Sequence, residues 1–342
     1  MRQVTLGSTG ITVPKNGFGA LPIQRVDFEE AKRIFTRAYE GGIRYFDSAH
    51  GYTDSEEKIG YALADVRKDI YIATKSPART GDVFKEQLQL SLERMKTDYI
   101  DVMQFHNLPF CPKPGDGTGL YEAMAEAKKK GYVKHIGITN HRQHVAMEAI
   151  ESGLFETIQF PFSYLASEED LNIMNAAKAH NMGFIAMKGL SGGLLTHSDL
   201  CYAWMAQYES VIPIWGIQRM SELEEFLSYQ DNEPELTAER LEAIAKDRVE
   251  LAGNFCRGCG YCMPCPVGIE INTAARMAQL IRRSPSAKFF TEEGQARMMK
   301  IEDCIGCYSC ASKCPYGLDT PKLLKENLAD YKKFLSGEYA RS

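Results

Sequence analysis

Eight cysteines fall between Cys256 and Cys314, and only Cys111 and Cys201 precede them in a chain of 342 residues that holds ten in all. The first run reads Cys256-x2-Cys259-x2-Cys262-x2-Cys265-Pro266 and the second Cys304-x2-Cys307-x2-Cys310-x3-Cys314-Pro315. Three thiolates at three-residue spacing can each take one corner of an iron–sulfur cubane, while a fourth so close along the chain is strained toward the same cube. Tetrahedral zinc is the competing reading. It pairs two CxxC knuckles across a loop of about a dozen residues or more, a layout that neither run has. Disulfides are disfavoured in a reducing compartment. The expectation is one-electron iron–sulfur chemistry in a separate C-terminal module, with the two runs as an internal repeat.

A second set of reactive types is spread over the first third of the chain. Asp47 and Tyr52 lie in FDSAHGYTDSEEKIG, Lys75 in ATKS and His106 in DVMQFHN. Singly, each has a plain structural reading: a strand-end cap, a half-buried aromatic, a solvated amine, a core imidazole. Together at successive strand ends they form a carboxylate, phenol, amine and imidazole set suited to proton transfer at a carbonyl oxygen. His50 is a further pocket candidate, with a solvated loop histidine as the plainer reading. Cys111, in NLPFCPKPGDG, is a candidate pocket-lining residue, and Cys201 lies on an apolar helix face.

The elements that must position these residues follow from periodicity. Eight strand-like runs, NGFGA, RYFDSA, IYIATKS, YIDVMQFHN, VKHIGITN, TIQFPFS, GFIAMKG and VIPIWG, recur at a spacing that fits one strand and one helix each. The segments between them, such as 27–42 and 80–97, carry apolar residues three and four apart with charges between, as amphipathic helices do. Eight consecutive units predict a closed (β/α)8 TIM barrel. A doubly wound sheet more often shows six strands and a glycine-rich first turn, and no GxGxxG occurs. The paired stretch VTLGSTGITVPK predicts a hairpin closing the barrel floor. The polar break DNEPEL then leads to a helical segment, TAERLEAIAKDRVELAG, so the domain boundary is expected near 232–254. This gives a barrel over 1–231, and a helical linker with the iron–sulfur domain over 232–342.

Composition narrows the function classes. With 44% hydrophobic and 25% charged residues the chain has the make-up of a globular protein. A net charge of −5 with Lys and Arg scattered among acids disfavours nucleic-acid partners. No run reaches about 18 apolar residues, and MRQVTLGSTGITVPKNG lacks the apolar core of a signal peptide, so a cytoplasmic protein without membrane contact is expected.

The tetrad segments resemble the aldo-keto reductase signature, and LGSTGITVPKNGFGALP, VKHIGITNH and VIPIWG resemble further segments of that family in family order, from about residue 3 to 230. The C-terminal runs resemble a bacterial two-cluster ferredoxin. The first resemblance implies a catalytic tetrad of Asp47, Tyr52, Lys75 and His106, with Tyr52 as acid, its pKa lowered by the Lys75 ammonium that Asp47 holds, and His106 orienting the carbonyl. It also implies that Thr139, Asn140 and Gln159 grip a nicotinamide carboxamide, and that Met187, beside Lys188, stands at the ring-stacking position. The phosphate loop maps onto Gly216, Gln218, Arg219 and Glu225. Glu222 stands near a common arginine and Phe226 in place of a common asparagine, departures that count against a preference for NADPH, so NADH or NADPH is the expected nicotinamide. The second resemblance implies two 4Fe-4S clusters, one held by Cys256, Cys259, Cys262 and Cys314, the other by Cys304, Cys307, Cys310 and Cys265. The expected function is reduction of a small-molecule carbonyl, or oxidation of an alcohol, with NAD(P)H, cluster-delivered electrons or both. An external ferredoxin is the candidate partner, a bound flavin a candidate electron splitter, and an anaerobic cytoplasm the expected setting. The alternative is an electron-transfer or redox-sensing protein that uses the barrel as a docking scaffold.

Overall fold

All eight strand-like runs form parallel strands, and the sheet they build closes on itself. The computed structural model describes residues 2–251, 255–283 and 286–339. A short antiparallel hairpin, β1 (Gln3–Thr5) and β2 (Thr12–Pro14), comes first. The barrel strands are β3 (Gly17–Gly19), β4 (Tyr45–Asp47), β5 (Tyr71–Ser76), β6 (Ile100–His106), β7 (Val133–Thr139), β8 (Thr157–Pro161), β9 (Gly183–Met187) and β10 (Val211–Gly216), with β10 pairing back onto β3. Each strand is followed by a helix: α1 (Phe28–Glu40), α2 (Ser55–Leu63), α3 (Gly81–Arg94), α4 (Leu120–Lys129), α5 (Gln143–Ser152), α6 (Glu168–Ala179), α7 (Ser198–Ala206) and α8 (Met220–Asp231).

Local chemistry sets where these helices begin. The Asp27 carboxylate accepts the Glu30 N–H at 2.8 Å to start α1, and Ser167 with Asp170 closes a reciprocal capping box on α6. The barrel strands are buried over most of their length, as expected of a parallel sheet covered by helices.

The hairpin sits at the N-terminal end of the barrel. Val4, Leu6, Ile11 and Val13 pack into one apolar cluster with Tyr45, Val102, Ile185, Ile212 and Ile214 from the strands. Leu6 lies so close to the start of β9 that a Cβ on Gly183 would stand 2.5 Å from its side chain. The floor is thereby sealed, and the polar ends of the strands open at the other face.

The chain divides into two compact units. The first comprises the residues up to Gly189 together with Asp199–Leu236; the second comprises Leu190–Ser198 and Thr237–Ser342. The expected boundary at 232–254 ends in residues 252–254, which lie outside the described residues. The second unit is helical: α9 (Ala238–Glu250), α10 (Ile271–Ala274), α11 (Met277–Arg283), α12 (Glu292–Met299), α13 (Ser309–Ser312) and α14 (Thr320–Ser336). Within it, Arg283 donates to the Leu194 carbonyl at 2.9 Å and meets Asp247 and Glu250, while Arg276 donates to the Gly192 carbonyl at 2.9 Å. Two arginines thus hold the 190–198 segment to the helices. Among the described residues, no helix is long and apolar enough to cross a membrane.

Candidate active site and cysteine module

Asp47 ends β4, Lys75 lies one residue short of the end of β5, and His106 ends β6. Tyr52 follows in the loop after β4. That loop is tied to β5 by backbone bonds from Ser48 N–H to the Ala73 carbonyl (2.8 Å) and from His50 N–H to the Lys75 carbonyl (2.9 Å). Thr53, at φ +41, turns the chain from there toward α2. All four side chains therefore gather at the C-terminal face, where barrels of this type carry their chemistry.

Lys75 donates to the Asp47 carboxylate at 2.5 Å and to the Ser48 carbonyl. Both ionic side chains are almost wholly buried. Burial works against each charge, raising Asp47 and lowering Lys75, and their mutual attraction opposes it. The Lys75 ammonium lies 5.2 Å from the centroid of the Tyr52 ring. The expectation that Lys75 lowers the Tyr52 pKa is not met. Burial first, and then the Asp47 charge, push the phenol above its ordinary value, while the ammonium donates to Asp47 and Ser48. His106 meets Tyr52 edge-on, ring centroids 5.7 Å apart, and burial together with the Lys75 charge pulls its pKa down to about 3. Its imidazole is neutral at physiological pH.

Two polar residues not selected from the sequence belong to this site. Gln104 on β6 donates to Gln159 Oε1 at 2.9 Å and to Asp47 Oδ1 at 3.4 Å, and its own Oε1, buried, has no partner among the described residues. It sits two residues before His106 and so points to the same face of the strand, the signal that could have found it. Gly137 makes room for it: a Cβ there would stand 2.9 Å from Gln104 Cγ. His141 is buried beyond β7, its backbone N–H donating to Asn107 Oδ1 and Asn140 Oδ1. Burial, with the Lys188 and Arg142 charges behind it, holds it well below the usual histidine range.

The nicotinamide candidates divide. Thr139 Oγ1 and Gln159 Nε2 both point at Met187 Sδ, at 3.8 and 3.7 Å, so these three converge at the ends of β7, β8 and β9. Lys188 follows Met187 at φ +59. Asn140 faces otherwise: its Oδ1 accepts from the His141 and Arg142 N–H groups and its Nδ2 donates to the Leu108 carbonyl at 2.7 Å. Its carbonyl oxygen is thus spent on the loop.

At the phosphate loop, Gly216 ends β10 and Arg219 caps α8. Glu222 Oε2 accepts from both the Gln218 N–H (2.8 Å) and the Arg219 N–H (3.0 Å). The helix N-terminus, a natural seat for a phosphate, already holds a carboxylate. Gln218 meets Arg25 at 3.4 Å, and exposed Glu225 accepts from the Tyr229 hydroxyl. Phe226 belongs to the core, stacked on Trp215 with centroids 4.6 Å apart.

His50 lies beside Ser91 (3.5 Å) and buried Glu56 (3.9 Å). Cys111 and Cys201 are buried, and burial pushes the Cys111 thiol up to about 11.

In the second unit, Cys256, Cys259, Cys262 and Cys314 line one cavity with Arg257, Tyr316 and Thr320. Cys265, Cys304, Cys307 and Cys310 line another, whose wall Cys262 also reaches, with Pro321 and Leu324 of α14. Gly258, Gly260 and Gly306 all have positive φ, which lets the loops curl around these spaces. The Gly258 N–H donates to Cys256 Sγ at 3.4 Å, the kind of bond that supports a ligating sulfur. Burial raises the Cys256 and Cys310 thiols and pushes Cys262 up to about 12. Among the described residues no three Cys, His, Asp or Glu side chains converge on a single-ion position. Four thiols around one cavity and five around the other, with Cys262 reaching both, suit cubanes, whose iron would bind four each as thiolates.

Comparison with known proteins agrees with this architecture. The model of the aldo/keto reductase family matches residues 15–200, and that of a 4Fe-4S dicluster domain matches residues 255–319. An uncharacterized oxidoreductase of Bacillus subtilis, YqkF, is 30% identical over 216 residues, covering 58% of this chain and 68% of that protein. Methylglyoxal reductase DkgB of Salmonella typhimurium is 27% identical over 263 residues, covering 72% and 94%. Among solved structures, an aldo-keto reductase from Bacillus halodurans superposes with a TM-score of 0.63 at 23% identity, covering 72% of this chain and 96% of that one. One from Klebsiella pneumoniae, in complex with NADPH, gives 0.63 at 17%, covering 72% and 95%. These two likenesses show the barrel fold. The chain, an oxidoreductase barrel followed by an iron–sulfur dicluster domain, belongs to the aldo/keto reductase family.

Proposed function

We propose that the barrel interconverts a small-molecule carbonyl and its alcohol at the Asp47, Tyr52, Lys75 and His106 site. The observation that carries this reading is the buried Lys75–Asp47 pair directly beneath Tyr52 and His106 at one strand-end face. Thr139, Gln159 and Met187 would hold a nicotinamide, and the Glu222 carboxylate on the α8 N-terminus favours NADH over NADPH. When bound, the nicotinamide supplies a hydride to the carbonyl carbon.

The chain's own part is the proton and the oxygen. Neutral His106 directs a ring N–H at the carbonyl oxygen and orients it toward Tyr52. Tyr52, whose raised pKa keeps it a phenol, gives its proton to the developing alkoxide. An alkoxide is the conjugate base of a far weaker acid than any phenol, so the transfer runs downhill despite the raised pKa. The resulting phenolate would stand over the Lys75 ammonium, which stabilises it at that stage; Asp47 keeps Lys75 protonated and in place.

We further propose that two 4Fe-4S clusters, able to pass one electron at a time, are held crosswise: one by Cys256, Cys259, Cys262 and Cys314, the other by Cys304, Cys307, Cys310 and Cys265. The cavities those thiols line support the pairing. An external one-electron carrier is the natural partner of such a module, and a reducing, oxygen-poor cytoplasm its natural setting.

DkgB is named a methylglyoxal reductase, so a 2-oxoaldehyde is the first substrate to assay. Tyr52→Phe should lower kcat with that substrate and NADH by at least about a hundredfold while leaving iron and acid-labile sulfide content unchanged. Unchanged turnover in that variant would remove the carbonyl-reductase reading and leave the scaffold alternative.

A further inference from the structure

The thiols of the two cavities are unequally covered. Cys307 is exposed, whereas the other seven cluster-module cysteines are buried or partly buried. Its neighbours on the second run, Ile305 and Tyr308, are 67% and 57% exposed, yet both also line the cavity of Cys265, Cys304, Cys307 and Cys310. Tyr308 is held at φ +57, a left-handed conformation that strains a bulky residue and that glycine adopts freely. More than half of its surface is nevertheless open to solvent.

The charges around this apolar rim are uneven too. Glu302 is paired with Lys332 at 2.7 Å and Asp303 with Lys300 at 2.8 Å, and Asp319 accepts from the Lys322 N–H to cap α14. Lys313, which caps the one-turn helix α13 that Tyr308 begins, and Lys325, next to the cavity-lining Leu324 on α14, have no ion-pair partner among the described residues. From Phe255 onward the sequence has 13 Lys and Arg against 9 Asp and Glu, although the whole chain carries −5.

We propose that Ile305, Cys307 and Tyr308, flanked by Lys313 and Lys325, form the docking surface for an acidic one-electron carrier protein. This inference rests on the cluster ligation proposed above. The reduced carrier gives up one electron and the cluster held by Cys304, Cys307, Cys310 and Cys265 gains it; no bond is made and no proton moves. An exposed apolar rim at the redox centre gives contact, and uncompensated lysines steer a negative partner, a combination suited to brief encounters. The better-covered cavity of Cys256, Cys259, Cys262 and Cys314 would take its electrons through the first.

The test uses the full, cluster-loaded chain, handled anaerobically, with a strongly acidic plant-type 2Fe-2S ferredoxin as probe. Binding of the oxidised probe is measured by calorimetry, so that no electron moves, and reduction by the reduced probe is followed in stopped flow. Tyr308→Gly, which relieves the backbone, and Lys325→Glu, which lies outside the cysteine runs, should each weaken binding about tenfold and slow reduction in step, with affinity falling as salt rises. Iron content and reduction by dithionite should stay at the parent level. Parent-like binding in both variants, or tighter binding of a basic c-type cytochrome, would overturn the docking surface. A parent chain without iron and labile sulfide would instead remove the cluster reading itself, and the docking surface with it.

Discussion

Lys75 directs its hydrogen bonds at Asp47 and Ser48, and burial is the leading influence on the protonation of all four tetrad residues. Tyr52 stays a phenol and His106 stays neutral, so neither is the source of a pH limb near neutrality. The stability of the fold, however, should depend on pH through the imidazoles. His106, with a pKa near 3 when folded, binds no proton at pH 5, while the unfolded chain, with an ordinary histidine near 6.5, binds one. Stability therefore falls as pH drops through 6.5 toward 3, by about 2 kcal/mol between pH 7 and 5 for this residue. Buried His141 works in the same direction. Urea midpoints at the two pH values should converge in His106→Gln; an unchanged gap would show that the imidazole charges freely in the fold. At the other end of the cofactor site, Glu222→Ala frees the Gln218 and Arg219 N–H groups and removes a negative charge. Affinity for NADPH should rise about tenfold, near 1.4 kcal/mol, with little change for NADH, as read by calorimetry. Asp47, Lys75 and His106 near their strand ends, and Tyr52 in the loop after β4, were legible in the sequence because their types and order are distinctive. The direction of the Tyr52 shift was not, because it is set by how deeply the folded barrel buries the phenol and by the Asp47 charge beside it, and Gln104 was hidden in an otherwise apolar strand.

At the scale of elements, the repeat of strand and helix made the barrel legible before any coordinates, and so did the floor hairpin, whose Val4, Leu6, Ile11 and Val13 face one way across a turn. Leu6→Ala should cost about 3 kcal/mol of stability, since that side chain is wholly buried against the start of β9. The site lies at the opposite end of the strands, so kcat should hold; a variant of full stability would show the hairpin to be dispensable. What the sequence did not reveal is that Leu190–Ser198, a glycine- and serine-bearing stretch between β9 and α7, groups with the second unit. Arg276 and Arg283, which bind its carbonyls, come far later in the chain, and no periodicity links them to it.

For the whole molecule, two units of different chemistry share one chain: a barrel suited to moving two electrons as a hydride, and a module suited to moving them singly. Cysteine spacing told the second from the first. Replacing Cys310 by alanine should cost the Cys304–Cys310 cavity its cluster, roughly halving the iron content, while NADH-dependent carbonyl turnover persists; loss of that turnover would tie the barrel's chemistry to the module. The central claim is that the barrel passes hydride directly to the carbonyl, and isotope transfer tests it without ambiguity. The loaded enzyme is given NADH carrying deuterium at the transferable C4 position together with the 2-oxoaldehyde, and the alcohol product is examined by mass spectrometry. One deuterium on the carbinol carbon is the predicted result; product formed with only solvent hydrogen at that carbon would contradict the account and assign the reduction to electrons delivered singly.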